Sequence, residues 1–110
     1  MSSELCKKHC VPCEGGVAPV RGDELDDLAK QIGSWWTIKN EHHLESEFPF
    51  DDFVQALEFT NQVGAVAEAE GHHPDILLSY GRVEIKLWTH AINGLSENDF
   101  ILAAKIDELK

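Results

Sequence analysis

The chain reads Glu68-Ala-Glu-Gly-His-His-Pro-Asp-Ile-Leu-Leu-Ser-Tyr-Gly-Arg-Val-Glu-Ile-Lys-Leu-Trp-Thr-His90 where a predicted helix gives way to a predicted hairpin. This stretch holds three of the 6 histidines of the chain. Pro74 disfavours the α region for the residue before it, so His72 and His73 lie at the end of the helix. His90 comes at the far end of the second strand. Imidazoles at element ends and beside carboxylates suit a site that transfers protons near neutral pH.

The second half of this stretch has the alternation of two short strands. Residues 76–80 and 83–89 are the strands, and Gly81-Arg82 suits a tight two-residue turn between them. On the second strand, one face holds Val83, Ile85, Leu87 and Thr89. If the alternation continues to the strand end, His90 lies on the opposite face, open to a ligand.

Two segments that precede the stretch also have regular patterns. Residues 23–32 place apolar side chains at helical spacing, and Gly33 could cap the C-terminus of that helix. Residues 34–50 alternate between apolar and polar side chains as the strands of a hairpin do, with a turn at Asn40-Glu41.

The longest helical pattern covers residues 51–71, with Asp51 or Asp52 at its N-terminus. Glu68 and Glu70 fall in its last turn, where the helix dipole mildly disfavours carboxylates. A charge placed against that preference is a weak indication of a function. For Glu70 we expect simple solvation.

The last pattern begins with Ser96-Glu-Asn-Asp99, which is typical of a capping box at the start of a helix. The predicted order is therefore helix, hairpin, long helix, hairpin, helix. Four short strands joined mainly by hairpins form an antiparallel sheet, which leaves one face for helices. The predicted fold class is α+β, with a four-stranded antiparallel sheet and three helices packed on one face (α-β-β-α-β-β-α).

Size and charge restrict the functions that this chain could have. With 110 residues and a 43% hydrophobic fraction, it has room for one modest globular domain. A net charge of -11 argues against nucleic acid and anionic membranes as partners. No apolar run approaches the roughly 18 residues of a membrane span, and the N-terminus lacks the apolar region of a signal peptide. We expect a soluble, cytoplasmic protein.

Residues 1–22 hold all 3 cysteines and little periodicity. Cys6, His9, Cys10 and Cys13 could be imagined as a zinc site, but a structural zinc site usually takes a second ligand pair, which is missing here. A redox Cys-x-x-Cys would need a following helix in a βαβ context. We therefore interpret residues 1–22 as a partly ordered arm with reduced thiols, and residues 23–110 as the single domain.

A second pair of adjacent histidines, His42 and His43, invites a metal or catalytic interpretation. The sequence brings no other chemical group toward them, so we expect exposed histidines near a turn. Trp35 and Trp36 could stack on a flat ligand, but filling the core is the commoner role of such a residue, and we expect it of one of them.

The stretch quoted first closely resembles the hallmark of the pterin-4a-carbinolamine dehydratases. That hallmark has a Glu shortly before His-His-Pro, then an acidic residue, then Tyr-x-x-Val-x-Ile-x-Leu-x-Thr-His. The matching positions in this chain are Glu68, His72, His73, Pro74, Asp75, Tyr80, Val83, Ile85, Leu87, Thr89 and His90. The resemblance extends from about Gly15 onward and includes Trp36, Phe50-Asp-Asp-Phe53 and Gly94-Leu-Ser-Glu97 with Asp99.

This resemblance implies a hydro-lyase that converts a 4a-hydroxytetrahydropterin to the quinonoid dihydropterin, in the recycling of the pterin cofactor. It implies His72 and His90 as the acid–base pair and His73 as an auxiliary ring. It also implies that Glu68, Asp99 and Pro74 support substrate binding or histidine polarity. The family needs no metal or redox cofactor for this reaction. Its members form dimers or tetramers, so the resemblance implies a homodimer or homotetramer with a small pterin substrate.

Two alternatives remain open from the sequence. Three imidazoles and a water are a known catalytic zinc set, although adjacent His72 and His73 would have to reach one ion from opposite sides of an extended backbone. The other alternative is a non-catalytic dimerisation or binding module, because eukaryotic relatives of this family double as dimerisation cofactors of a transcription factor. That role would leave the function insensitive to His72→Ala.

Overall fold

The computed structural model describes residues 4–10 and 18–109. The described residues form three α-helices and four β-strands in the predicted order. These are α1 (Gly22–Ala29), β1 (Thr37–Lys39), β2 (His43–Pro49), α2 (Phe53–Glu70), β3 (Asp75–Ser79), β4 (Arg82–Leu87) and α3 (Glu97–Asp107). Two short 3-10 helices cover Glu4–Lys7 and His90–Ile92.

The four strands form one antiparallel sheet with the order β1-β2-β4-β3. In the centre, Leu44 of β2 pairs with Leu87 of β4, and Phe48 pairs with Val83. These four side chains are buried and contribute to the hydrophobic core. Helix α2 packs on β3 and β4, α3 packs on α2, and α1 packs on α3. The predicted α+β fold is confirmed.

Local cap chemistry sets the bounds of α2, as the sequence predicts. The side chain of Asp52 accepts a hydrogen bond from the N–H of Gln55 at 2.9 Å, which satisfies a donor at the helix start. Gly71 ends the helix in the left-handed region with φ 66. Because glycine adopts this conformation without steric cost, the chain leaves the helix directly before His72.

Two predicted boundaries are wrong. Helix α1 ends at Ala29 with Lys30 as its C-cap, so Gly33 does not cap it. Instead, Gly33 packs against the ring of Trp35. A Cβ atom at position 33 would lie only 2.3 Å from carbon atoms of that ring. The turn of the second hairpin is Tyr80-Gly81 rather than Gly81-Arg82, because Ser79 pairs with Arg82.

The two adjacent tryptophans differ in burial. Trp36 is 8% exposed and packs in the core, whereas Trp35 is 49% exposed. The prediction that one of the two fills the core is therefore confirmed. Both indole N–H groups donate to Oδ1 of Asp107, at 2.9 Å from Trp35 and 2.8 Å from Trp36. These bonds attach the start of the first hairpin to the end of α3.

The described part of the N-terminal segment, residues 4–10, packs against α3. Leu5 is 1% exposed and belongs to the core, and Nζ of Lys105 donates to the carbonyl of Cys6 at 2.8 Å. Cys13 lies outside the described residues, and the division of the chain at residue 22 stays a prediction. None of the helices in residues 4–10 and 18–109 has the length and apolar character that crossing a membrane requires.

Candidate active site

A cleft of about 570 Å³ lies where the C-terminal end of α2, the residues after β4 and the first turn of α3 come together. All three histidines of the quoted stretch line it. The described lining residues are Cys10, Glu70, Gly71, His72, His73, Trp88, Thr89, His90, Ala91 and Asn98. The fold therefore brings together three side chains that the sequence separates by up to 18 positions.

His72 is fixed from behind by a buried carboxylate. Its Nε2 atom lies 2.5 Å from Oδ1 of Asp99, a residue that is 0% exposed. The other oxygen of Asp99 accepts from Oγ1 of Thr89 at 2.8 Å and from the N–H of Ser96 at 2.9 Å. Because a carboxylate only accepts, Nε2 of His72 carries the proton between them. Nδ1 is then the ring nitrogen of His72 that can accept a further proton.

Asp99 combines the two roles that the sequence left open. It is the third residue of α3 and completes the predicted capping box with Ser96. The same carboxylate orients His72. Each oxygen of Asp99 therefore has its own role: Oδ2 accepts from the N–H of Ser96 in the capping box, and Oδ1 contacts His72, a lining residue of the cleft.

His73 also lines the cleft, but its partner is exposed. Nε2 of His73 lies 2.8 Å from Oε1 of Glu68, and their side chains are 62% and 78% exposed. Glu68 and Pro74 are outside the described set of lining residues. Glu68 contacts His73, which is a lining residue, and Pro74 restricts the backbone of His73.

His90 reaches the cleft by a route that the alternation of β4 does not describe. The strand ends at Leu87, Thr89 forms an isolated bridge with Gly94, and His90 begins a 3-10 helix. The expected continuation of the strand to Thr89 is therefore wrong. The His90 ring stacks on Trp88, with 4.4 Å between ring centroids and 6° between ring planes. This stacking fixes the orientation of an otherwise exposed imidazole.

Glu70 is a lining residue whose role the sequence did not reveal, and the expectation that it is solvated is wrong. Its side chain is 8% exposed. Oε1 accepts from the N–H of Cys10 at 2.8 Å, and Oε2 lies 3.0 Å from Nδ1 of His9 and 3.7 Å from Nζ of Lys105. Burial disfavours the ionised carboxylate, but these three donors outweigh it and lower the pKa of Glu70. The only signal in the sequence was its position in the last turn of α2.

The pair His42 and His43 is half-buried and has several partners, so the expectation of exposed, unengaged rings is wrong. Their Nδ1 atoms lie 3.0 Å apart. Nε2 of His42 lies 2.9 Å from Oδ1 of Asn93, and Nε2 of His43 lies 2.9 Å from Oε2 of Glu45. The hydrogen bond to His43 is the main cause of a lowered pKa of Glu45.

The same pair contacts the cleft indirectly. The ring centroid of Trp88 is 5.6 Å from that of His42 and 6.0 Å from that of His43. Trp88 thus stacks on His90 while it contacts the two other imidazoles. In residues 4–10 and 18–109, no group of three or more His, Cys, Asp or Glu side chains is arranged to hold a metal ion.

Comparison with known proteins identifies the family. The sequence model of the family described as pterin 4 alpha carbinolamine dehydratase matches residues 18–109. A protein of Rubrobacter xylanophilus, which its name assigns to the pterin-4-alpha-carbinolamine dehydratases, is 52% identical over 107 residues, covering 97% of this chain and 99% of the relative. A similarly named protein of Alkaliphilus metalliredigens is 50% identical over 106 residues, covering 96% of each chain.

Two solved structures share the fold. One is a transcriptional coactivator/pterin dehydratase from Brucella melitensis, with a TM-score of 0.76 and 28% identity over 83% of this chain and 97% of that one. The other is a pterin dehydratase-like protein described as a RuBisCO assembly factor, with a TM-score of 0.59 and 28% identity over 67% of this chain and 87% of that one. On the family match and the near full-length relatives, this chain belongs to the pterin-4-alpha-carbinolamine dehydratases, a family of hydro-lyases.

Proposed function

We propose that this protein removes water from a 4a-hydroxytetrahydropterin to give the quinonoid dihydropterin, with histidines as general acid and base. The observation that supports this most is that His72, His73 and His90 line one cleft of about 570 Å³. This volume is in the range of small-molecule sites. The family match supports dehydration in pterin metabolism.

The reaction is an elimination that is balanced without a redox partner. The bond between C4a and the hydroxyl oxygen breaks, and the departing hydroxyl takes a proton from the acid and leaves as water. A ring nitrogen gives its proton to the base, and its electron pair forms the new double bond. One imidazole loses a proton and the other gains one, so the pair returns to its starting state by exchange with solvent. Positioned proton transfer of this kind contributes about 10² to 10⁴-fold to a rate.

We propose His72 as the base and His90 as the acid. When His72 accepts a proton on Nδ1, the carboxylate of Asp99 compensates the positive charge, as an aspartate does for the histidine of a hydrolase triad. His90 is exposed and stacked on Trp88, where it can exchange protons with solvent. His73, with Glu68, is the auxiliary ring. Contact of Glu68 and Pro74 with the substrate stays a prediction.

A stopped-flow measurement of carbinolamine decay tests this proposal. Wild-type protein should accelerate the decay, and His72→Ala and His90→Ala should each lose most of the acceleration. Glu58→Gln changes an exposed side chain of α2; it is the matched control and should behave as wild type. If the two histidine variants accelerate the decay as well as wild type does, histidine catalysis at this cleft is ruled out.

We also propose that the chain forms a homodimer or homotetramer. Large apolar side chains are exposed on α2 and on the edge strand β3, which an interface between copies would cover. These are Phe53 (43% exposed), Val54 (63%), Leu57 (39%) and Leu77 (53%). Analytical ultracentrifugation of wild type, Leu57→Glu and Leu77→Glu should show the assembly and its weakening. A monomeric wild type at micromolar concentration would contradict this proposal.

A non-catalytic binding role is the second candidate, supported by the names of the two structural neighbours. The exposed apolar side chains on α2 could then bind another protein instead of a second copy. This role and the catalytic one give opposite results for His72→Ala, because a binding surface on α2 does not depend on an imidazole in the cleft.

A further inference from the structure

Glu70 attaches the N-terminal segment to the rim of the cleft. Its buried carboxylate accepts from the N–H of Cys10 and lies within 3.0 Å of His9 and 3.7 Å of Lys105. It is separated from Cys10 by 60 positions in the chain. Removing this buried carboxylate should destabilise the attachment, because it leaves the donors without a strong acceptor.

Two further interactions hold the same segment. Leu5 is 1% exposed in the core, and the ammonium of Lys105 donates to the carbonyl of Cys6 at 2.8 Å. Lys105 therefore contacts both the backbone of the segment and Glu70. Contacts at Leu5, Cys6 and Cys10 thus help to fix the position of residues 5–10, and the contact of Cys10 with Glu70 is at the cleft.

Cys10 is the residue that this attachment presents to the cleft. It lines the cavity together with Glu70 and Asn98, and its Sγ lies 3.6 Å from the carbonyl oxygen of Asn98 in the first turn of α3. The segment therefore closes the gap between the end of α2 and the start of α3. The three histidines, at residues 72–73 and 90, belong to the same lining.

We propose that Cys10 is a wall of the substrate cleft that limits the size of the bound pterin, and that Glu70 is the residue that positions this wall. The inference rests on the proposed dehydratase function, and it extends that function by assigning substrate fit to the N-terminal segment. Neither residue donates or accepts the protons of the reaction, so their effect is on binding. It follows that changes at Cys10 and Glu70 alter KM and leave kcat close to its wild-type value.

The first test varies the size of the side chain at position 10. Cys6→Ser, on the same segment but outside the described lining residues of the cleft, is the control and should keep wild-type KM for the carbinolamine and wild-type Kd for dihydrobiopterin, measured by isothermal titration calorimetry. Cys10→Phe fills part of the cleft and should raise both constants about tenfold or more. Far-UV and near-UV circular dichroism verify that both variants are folded. A folded Cys10→Phe variant with wild-type Kd for dihydrobiopterin overturns the proposal.

The second test removes the residue that positions Cys10 and leaves Cys10 itself unchanged. In Glu70→Ala, Cys10 should react faster with iodoacetamide, as measured by mass spectrometry, and KM should rise while kcat stays close to wild type. Glu58→Gln on the same helix is the control and should change neither. If Cys10 becomes more reactive in Glu70→Ala but KM and Kd do not move, the wall does not determine substrate fit and the proposal is wrong.

These tests separate the proposal from the function on which it rests. Failure of the wild-type protein to accelerate carbinolamine decay would contradict the dehydratase function. The binding of dihydrobiopterin to wild type and to Cys10→Phe tests the role of Cys10 independently of that activity. Equal binding by the two proteins overturns the wall. Weaker binding by Cys10→Phe supports it as part of a pterin-binding cleft.

Discussion

Nε2 of His72 lies 2.5 Å from Oδ1 of Asp99, and the Asp99 side chain is 0% exposed. A carboxylate buried this completely is stable only with donors around it, and here the donors are His72, Thr89 and Ser96. The pair therefore links the stability of the α3 N-terminus to the state of a ring in the cleft. A change to the carboxylate should therefore affect both the stability of the protein and the properties of the His72 ring.

Replacing Asp99 by Asn tests this link. The amide keeps an oxygen that can accept from Thr89 and Ser96, so the fold should survive. It no longer compensates a positive charge on His72, and we expect carbinolamine dehydration to fall about 10²-fold. Stopped-flow kinetics with urea unfolding as the fold control measures this. Wild-type kinetics in a folded Asp99→Asn variant would mean that the carboxylate has only its capping role.

The exposed pair His73–Glu68 should matter less. Both side chains are more than half exposed, and exposed ion pairs contribute at most about 1 kcal/mol. We expect Glu68→Gln to lower kcat/KM by less than about fivefold, and His73→Ala to lower it less than His72→Ala does. Stopped-flow assays of the three variants, run in parallel, give the comparison. A larger loss in Glu68→Gln than in Asp99→Asn would show that Glu68 contacts the substrate directly.

The sequence predicts the elements whose ends are set by adjacent residues. Asp52 and Gly71 bound α2 because an N-cap and a left-handed C-cap act within one helical turn. Gly33 has the same residue type but a different environment, since its N–H donates to Oδ2 of Asp107 at 2.8 Å, 74 positions away. No local pattern contains that contact, so the sequence places the C-terminus of α1 too far along the chain.

The same distinction applies to the site. The family pattern pointed to residues 72, 73 and 90 together, and the fold places these three histidines in one cleft, while their roles stay a prediction. The contacts of Glu70 with Cys10 and of His42 with Asn93 could not be predicted, because these partners are distant in the chain. Cys10 is 60 positions from Glu70, and Asn93 is 51 positions from His42.

The Glu70 carboxylate should make stability depend on pH in the acid range. Its pKa in the folded protein is below its ordinary value of 4.5, so the unfolded chain binds the proton more readily. The stabilisation is complete above the unfolded pKa and is lost as the pH falls through the folded pKa. We expect Glu70→Gln to lower the free energy of unfolding by about 1 to 2 kcal/mol at pH near 7. The decrease should be smaller at pH near 3.

Urea unfolding of wild type and Glu70→Gln at several pH values measures this difference. Glu58→Gln removes an exposed carboxylate from the same helix and is the control for net charge. A difference between wild type and Glu70→Gln that stays constant from pH near 7 to pH near 3 would show that the contacts of Glu70 do not depend on its ionisation.

Trp88 is the ring against which His90 is held. Its indole stacks on His90 at 4.4 Å and also contacts His42 at 5.6 Å, so replacing it removes the orientation of the proposed acid. Aromatic pairs contribute about 0.5 to 1.5 kcal/mol beyond their buried area, which predicts a loss of about 2- to 12-fold in kcat for Trp88→Leu. Trp88→Phe keeps an aromatic face and should lose less.

Trp35→Leu, which removes a half-exposed indole that does not line the cleft, is the control in the same stopped-flow assay. An equal loss in Trp88→Phe and Trp88→Leu would show that stacking does not orient His90, and that Trp88 acts only by filling space beside the cleft.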